Sequence, residues 1–125
     1  MKKILLAEDD PFVVEIYSRK MKEAGFDLEI VQTGEEALRK IKEERFDILL
    51  LDMVLPGLSG WEVLEAIRKE KEKNEQLRAL KVLVLSNLGS RPEVERAVRM
   101  GAERYLIKAH YTPAQVVEEI KRLDR

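Results

Sequence analysis

Apolar residues in this chain come in five short runs at regular intervals, at positions 4–7, 28–31, 48–51, 82–85 and 105–107. Three of the runs are continuous rather than alternating, the pattern of strands covered on both faces. The segments between them have helical spacing, and several of their starts are legible. Thr33 with Glu36, Ser59 with Glu62, Ser90 with Glu93 and Thr112 with Gln115 each match a capping box, in which the first and fourth residues satisfy each other's backbone donors. Asp10-Pro11 reads as an N-cap followed by a proline in the first helical turn, and Gly25 and Gly101 stand where the first and fourth predicted helices should stop. Strand and helix thus alternate five times, which predicts an α/β fold with a right-handed, doubly wound parallel sheet. Residues 68–81 are the least regular part, expected to be a solvated helix end and a connection. No linker or repeat divides the chain, so a single domain over 1–125 is expected.

Composition narrows the function classes. Of 125 residues, 45% are hydrophobic and 38% charged; 23 Lys and Arg oppose 24 Asp and Glu, and cysteine is absent. A core is affordable without cross-links at this length. Lack of cysteine removes disulfide scaffolds, thiolate zinc sites and thiol nucleophiles. A net charge of −1 argues against direct nucleic-acid binding, and no apolar run reaches membrane-spanning length. The expectation is a cytoplasmic domain with no membrane contact.

The polar residues that interrupt the pattern gather at the carboxyl ends of predicted strands: Glu8, Asp9 and Asp10 after the first, Asp52 after the third, Ser86 after the fourth and Lys108 after the fifth. In an open parallel sheet those ends share one edge, where ligands usually bind. Carboxylates crowded there either shift their pKa values or hold a hard cation, and Mg²⁺ suits a site offering few carboxylates, a carbonyl and water. A nearby lysine could face a phosphate. Asp10 is better explained as a helix cap than as a metal ligand, and His110, a lone loop histidine, is assigned no role.

Glu8-Asp9-Asp10, the stretch from Asp52 through Pro56 to Gly60, Ser86 and Lys108, in that order, resemble the receiver domain of two-component response regulators, the CheY-like superfamily. The resemblance implies a flavodoxin-like (βα)5 fold with strand order 2-1-3-4-5. It implies that Asp52 accepts a phosphoryl group from a histidine kinase or histidine phosphotransfer protein. Asp9, Asp52 and the backbone carbonyl of Val54 would hold Mg²⁺, with Glu8 acting through water. Ser86 and Lys108 would bind phosphoryl oxygens, and Tyr105 would be the aromatic switch that repacks the face built from the fourth predicted helix, the fifth strand and the fifth predicted helix. On the first helix Val13, Val14, Tyr17, Met21 and Ala24 form the stripe suited to the sheet, which leaves Phe12 and Ile16 on the other side as a candidate docking patch for the phosphodonor.

Several positions depart from the family pattern. Ala109 stands where relatives carry a proline joined by a cis bond, so either a trans bond with a shifted loop or a strained cis bond is expected after Lys108. Asn87 replaces a small residue, and Val54 and Leu88 are apolar where some relatives orient the hydrolytic water, which predicts a long-lived phosphorylated Asp52. Arg104 and Glu119 carry signs reversed from the pairing expected in dimerising transcription factors, so dimerisation through that face is not assumed. Any output has to pass through a partner or a further part of the chain. The alternatives are a haloacid dehalogenase-like phosphatase, which would want an aspartate at position 54; a nucleotide- or flavin-binding module, which would want a glycine-rich loop after the first strand; and a degenerate receiver serving only as an interaction surface.

Overall fold

The computed structural model describes residues 2–87 and 89–123. Five parallel strands run β1 (Lys3–Ala7), β2 (Asp27–Val31), β3 (Ile48–Leu51), β4 (Lys81–Ser86) and β5 (Ala102–Ile107). They are ordered β2-β1-β3-β4-β5, the flavodoxin-like arrangement expected from the sequence. Six helices connect and flank them: α1 (Pro11–Glu23), α2 (Gly34–Glu43), α3 (Gly60–Glu70), α4 (Glu75–Arg78), α5 (Arg91–Arg99) and α6 (Pro113–Leu123). The fourth and fifth helices expected from the sequence are therefore α5 and α6. The additional α4 lies inside the stretch read as a solvated helix end and connection. That reading is corrected in part: Leu77 and Leu80 are buried, and an Asn74 side chain that accepts from the Gln76 N–H caps the short helix.

Alternation along the strands builds two cores. Leu5 and Ala7 of β1 face a cluster shared with α2, α3, α4 and α5, where Ile41, Val63, Leu77 and Ala97 are buried. Ile4 and Leu6 face the other side, with Tyr17 and Met21 of α1 and Val116 and Ile120 of α6. β3 lies in the middle of the sheet with all four residues buried, which is why its sequence, ILLL, shows no alternation. β5 is an edge strand with exposed Glu103 and Arg104, and a register shift opposite Val82 and Leu83. Its polar outer face hides it from an apolar-run search, so the sequence places only its last three residues in a strand.

The reciprocal capping boxes at Ser59 and Glu62 and at Ser90 and Glu93 are present. The same exchange links Thr112 and Gln115. Thr33 differs: its hydroxyl accepts from the Glu36 N–H as expected but donates to the Glu36 carboxylate. Gly25 and Gly101 follow α1 and α5 with φ of +88° and +107°, a left-handed backbone that favours glycine.

Candidate functional site

The carboxyl ends of β1, β3, β4 and β5 deliver polar side chains to the same edge. Glu8 directly follows β1, and its backbone N–H donates to Val31 O at 3.0 Å, which locks the chain as it leaves the strand. Its Oε2 accepts from the N–H groups of Asp9 and Asp10, both at 3.1 Å. Asp10 caps α1 by accepting from the Phe12 N–H at 2.9 Å, the role expected for it. Asp52 directly follows β3; its N–H donates to Ala7 O and its Oδ1 accepts from the Val54 N–H at 3.1 Å. Behind it, Gly60 N–H donates to Met53 O at 3.0 Å. A Cβ at Gly60 would come within 2.6 Å of Asp52 O and Met53 Cα, so the absent side chain is what lets α3 start this close.

Lys108 reaches across from the end of β5, where a 3-10 turn, Lys108–His110, leads toward α6. Its Nζ donates to Glu8 Oε1 at 2.5 Å and to Asp52 Oδ2 at 3.1 Å. All peptide bonds among the described residues are trans, including the one after Lys108, so of the two expected outcomes the trans bond is present. Burial works against the Lys108 charge, but the hydrogen bond to Glu8 and the charge of Asp52 outweigh it and hold the ammonium above its usual range. Burial pushes Glu8 up, against the pull of Lys108 and the Asp10 N–H.

Oxygens of Glu8, Asp9 and Asp52 all lie within 4.8 Å of one another. An all-oxygen set with two buried carboxylates and one exposed fits a small hard cation, so these residues suit Mg²⁺. They line a cavity of about 330 Å³ together with Asp10, Val54, Ser86, Asn87 and Lys108. Ser86 is fully buried, and the half-buried Tyr105 lies close enough for the serine to draw its phenol pKa down. The structure thus brings the predicted acids, Ser86 and Lys108 to one cavity, with Tyr105 one layer behind. Leu88 lies outside the described residues.

A family model described as the response regulator receiver domain matches residues 4–121. The chain belongs to that family. The receiver domain is 29% identical over 124 residues to the alkaline phosphatase synthesis transcriptional regulatory protein PhoP of Bacillus subtilis, covering 99% of this chain and 49% of that protein. It is 35% identical over 107 residues to the transcriptional regulatory protein MalR of the same species, covering 84% of this chain and 43% of the other. The chain spans about half the length of these curated relatives. Among solved structures, a CheY-like receiver domain protein from Methanospirillum hungatei superposes with a TM-score of 0.85 at 29% identity, covering 99% and 94% of the two chains. Chemotaxis protein CheY4 of Vibrio cholerae gives 0.86 at 26% identity, covering 98% of each.

Phe12 and Ile16 project from the outer face of α1, 77% and 43% exposed, beside the acidic edge. Arg104 and Glu119 pair within the chain at 3.1 Å, and Arg122 joins the same Glu119 oxygen at 3.3 Å. One contact near the site has no signal in the local pattern. Glu35 of α2 accepts from the Leu58 N–H at 2.9 Å and so ties down the loop after Asp52. A glycine makes room for it: a Cβ at Gly57 would meet the Glu35 carboxylate at 2.0 Å. No helix among the described residues is long and apolar enough to cross a membrane.

Proposed function

We propose that this receiver domain is a phosphoacceptor switch in which Asp52 takes a phosphoryl group from the phosphohistidine of a histidine kinase or phosphotransfer protein. The observation that carries the reading is the Lys108 ammonium held between Glu8 and Asp52, beside three carboxylates close enough to share one cation. A carboxylate is a poor nucleophile toward an anionic phosphoryl group unless charge is neutralised and the reactants are aligned. Asp9, Asp52 and the Val54 carbonyl, with Glu8 through water, would hold Mg²⁺, whose charge would offset much of that negative charge. An Asp52 carboxylate oxygen attacks phosphorus; the new P–O bond forms as the P–N bond breaks, and the imidazole leaves with the electron pair. Lys108 and Ser86 stabilise the arriving phosphoryl oxygens, the lysine by charge and the serine by its hydroxyl.

A turn of the buried Ser86 hydroxyl toward the phosphoryl group takes it away from the neighbouring Tyr105 phenol. α5, β5 and α6 then repack around it, a two-state element biased by one modification. Val54 is an exposed apolar side chain at the cavity mouth and offers no group to orient water, in keeping with a long-lived acyl phosphate. Phe12 and Ile16 supply the apolar patch for the helices of the donor. The domain acts in the cytoplasm through a protein partner, without touching nucleic acid itself and without a metabolic reaction of its own. Transfer from a phosphorylated cognate donor tests the assignment. Label is expected on the wild type, none on Asp52→Asn, and about tenfold slower transfer to Phe12→Ala with Ile16→Ala, as for loss of two apolar anchors. Equal transfer to the double variant contradicts the docking patch, and label on Asp52→Asn contradicts the acceptor.

A further inference from the structure

At the opposite edge of the sheet from Asp52, a cavity of about 220 Å³ opens between the end of α3, the start of β4 and the end of α5. Its floor is apolar: Leu64, Ile67 and Val82, all from the core, with Met100 beside them. Three cations stand on its rim. Arg68 is held by Glu65 at 3.1 Å, but Lys71 and Arg99 make no ion pair among the described residues, and Glu72 is the only acid lining the cavity among them. A basic residue in a last turn commonly offsets the carbonyl end of its own helix. That role does not require cations from two helices to line the same hydrophobic hollow, and here Lys71 caps the end of α3 while Arg99 ends α5.

We propose that this crevice binds a small amphipathic monocarboxylate, with the carboxylate between Lys71 and Arg99 and the apolar body over Ile67, Val82 and Met100. The volume lies below the ~300–1,000 Å³ of drug-sized ligand sites, so the body is one short aliphatic chain or one ring. Charge selects the head, because both unpaired groups are donors and guanidinium recognises carboxylate geometry. The bound ligand bridges α3 and α5. If α5 repacks on phosphorylation, as the proposed function holds, ligand and phosphoryl group influence each other's binding. The binding itself does not depend on that reading.

The test is a titration of the unphosphorylated protein with sodium hexanoate, followed by amide chemical shifts, with hexan-1-ol as the uncharged probe. Hexanoate is expected to give saturable shifts concentrated at Ile67, Val82, Met100 and Gly101. Hexan-1-ol, and hexanoate added to Lys71→Glu with Arg99→Glu, are each expected to bind more weakly by about tenfold or more, the loss of the charge-assisted contacts to both cations. Absence of saturable shifts, equal binding of the alcohol, or unchanged affinity in a charge-reversed variant whose other resonances stay in place overturns the proposal. If that variant does not fold, the comparison of acid with alcohol still decides. Because no phosphodonor is present, failure here leaves the assignment of Asp52 untouched.

Discussion

Ser86 is fully buried beside the phenol of Tyr105 on the neighbouring strand, where Val84 pairs with Tyr105 and Ser86 with Ile107. The two are diagonal neighbours, a separation that a long aromatic side chain spans. Tyr105→Phe keeps the ring and removes the phenol oxygen beside Ser86. The expected cost is about 0.5–1.5 kcal/mol in urea unfolding, as for the loss of one hydrogen bond by the phenol, and an unchanged midpoint contradicts a polar contact there. Burial holds the phenol above its ordinary 10.0 while Ser86 pulls it down, so Ser86→Ala should move the ultraviolet titration of Tyr105 further up.

Lys108 is the sole ammonium placed between Glu8 and Asp52 among the described residues, and each partner is buried. Lys108→Met leaves two buried carboxylates facing each other without a counter-charge, a loss of about 3 kcal/mol in metal-free buffer. Added Mg²⁺ should recover part of it, because an ion that binds only the folded state stabilises by mass action. The wild type should also weaken at alkaline pH. The folded pKa of Lys108 is raised, so the stability it confers is complete below the unfolded value of 10.5 and disappears as pH rises through the folded value. The raised phenols of Tyr17 and Tyr105 act in the same direction. A denaturation series across that range that shows no alkaline loss contradicts the pairing.

Gly60 tests how tightly the loop carrying Asp52 is held. Alanine is the better residue for a helix, yet a Cβ here meets backbone atoms of Asp52 and Met53 at 2.6 Å. Gly60→Ala is expected to destabilise by about 1–3 kcal/mol, as overpacking does, and to shift the amide resonances of residues 52–54. Stabilisation would mean that the helix start is not in this contact.

Glu35 provides the acid-side counterpart. Its hydrogen bond from the Leu58 N–H holds its carboxyl below the usual carboxylate range. The stability it gives is therefore present above the unfolded value of 4.5 and lost as pH falls through the lower folded value. Carboxyl chemical shifts should place its titration below that of a free glutamate, with the Leu58 amide following the same curve. A midpoint at or above 4.5 contradicts the contact.

The parts of this architecture legible in sequence are those set by local rules. β3 shows itself through four consecutive apolar residues because both its faces are covered. Asp10, Ser59 and Ser90 announce helix starts because capping is a matter of residues three or fewer apart. The acids and Lys108 could be gathered onto one edge because parallel strands place their carboxyl ends together. What escaped depends on tertiary contact. α4 is one turn whose single buried anchor, Leu77, carries no period. The outer face of β5 is solvated, so Glu103 and Arg104 read as loop. The tie from Glu35 to Leu58 crosses 23 positions of chain, and the pairing of Arg104 with Glu119 inside one molecule follows only from how β5 and α6 pack.

The most direct measurement of the central claim is intact mass after incubation with a small-molecule phosphodonor and Mg²⁺. Wild-type protein is predicted to gain one phosphoryl group, mapped to Asp52, with no gain when Mg²⁺ is chelated and none in Asp52→Asn. No uptake by the wild type, or uptake that persists in Asp52→Asn, would contradict the account.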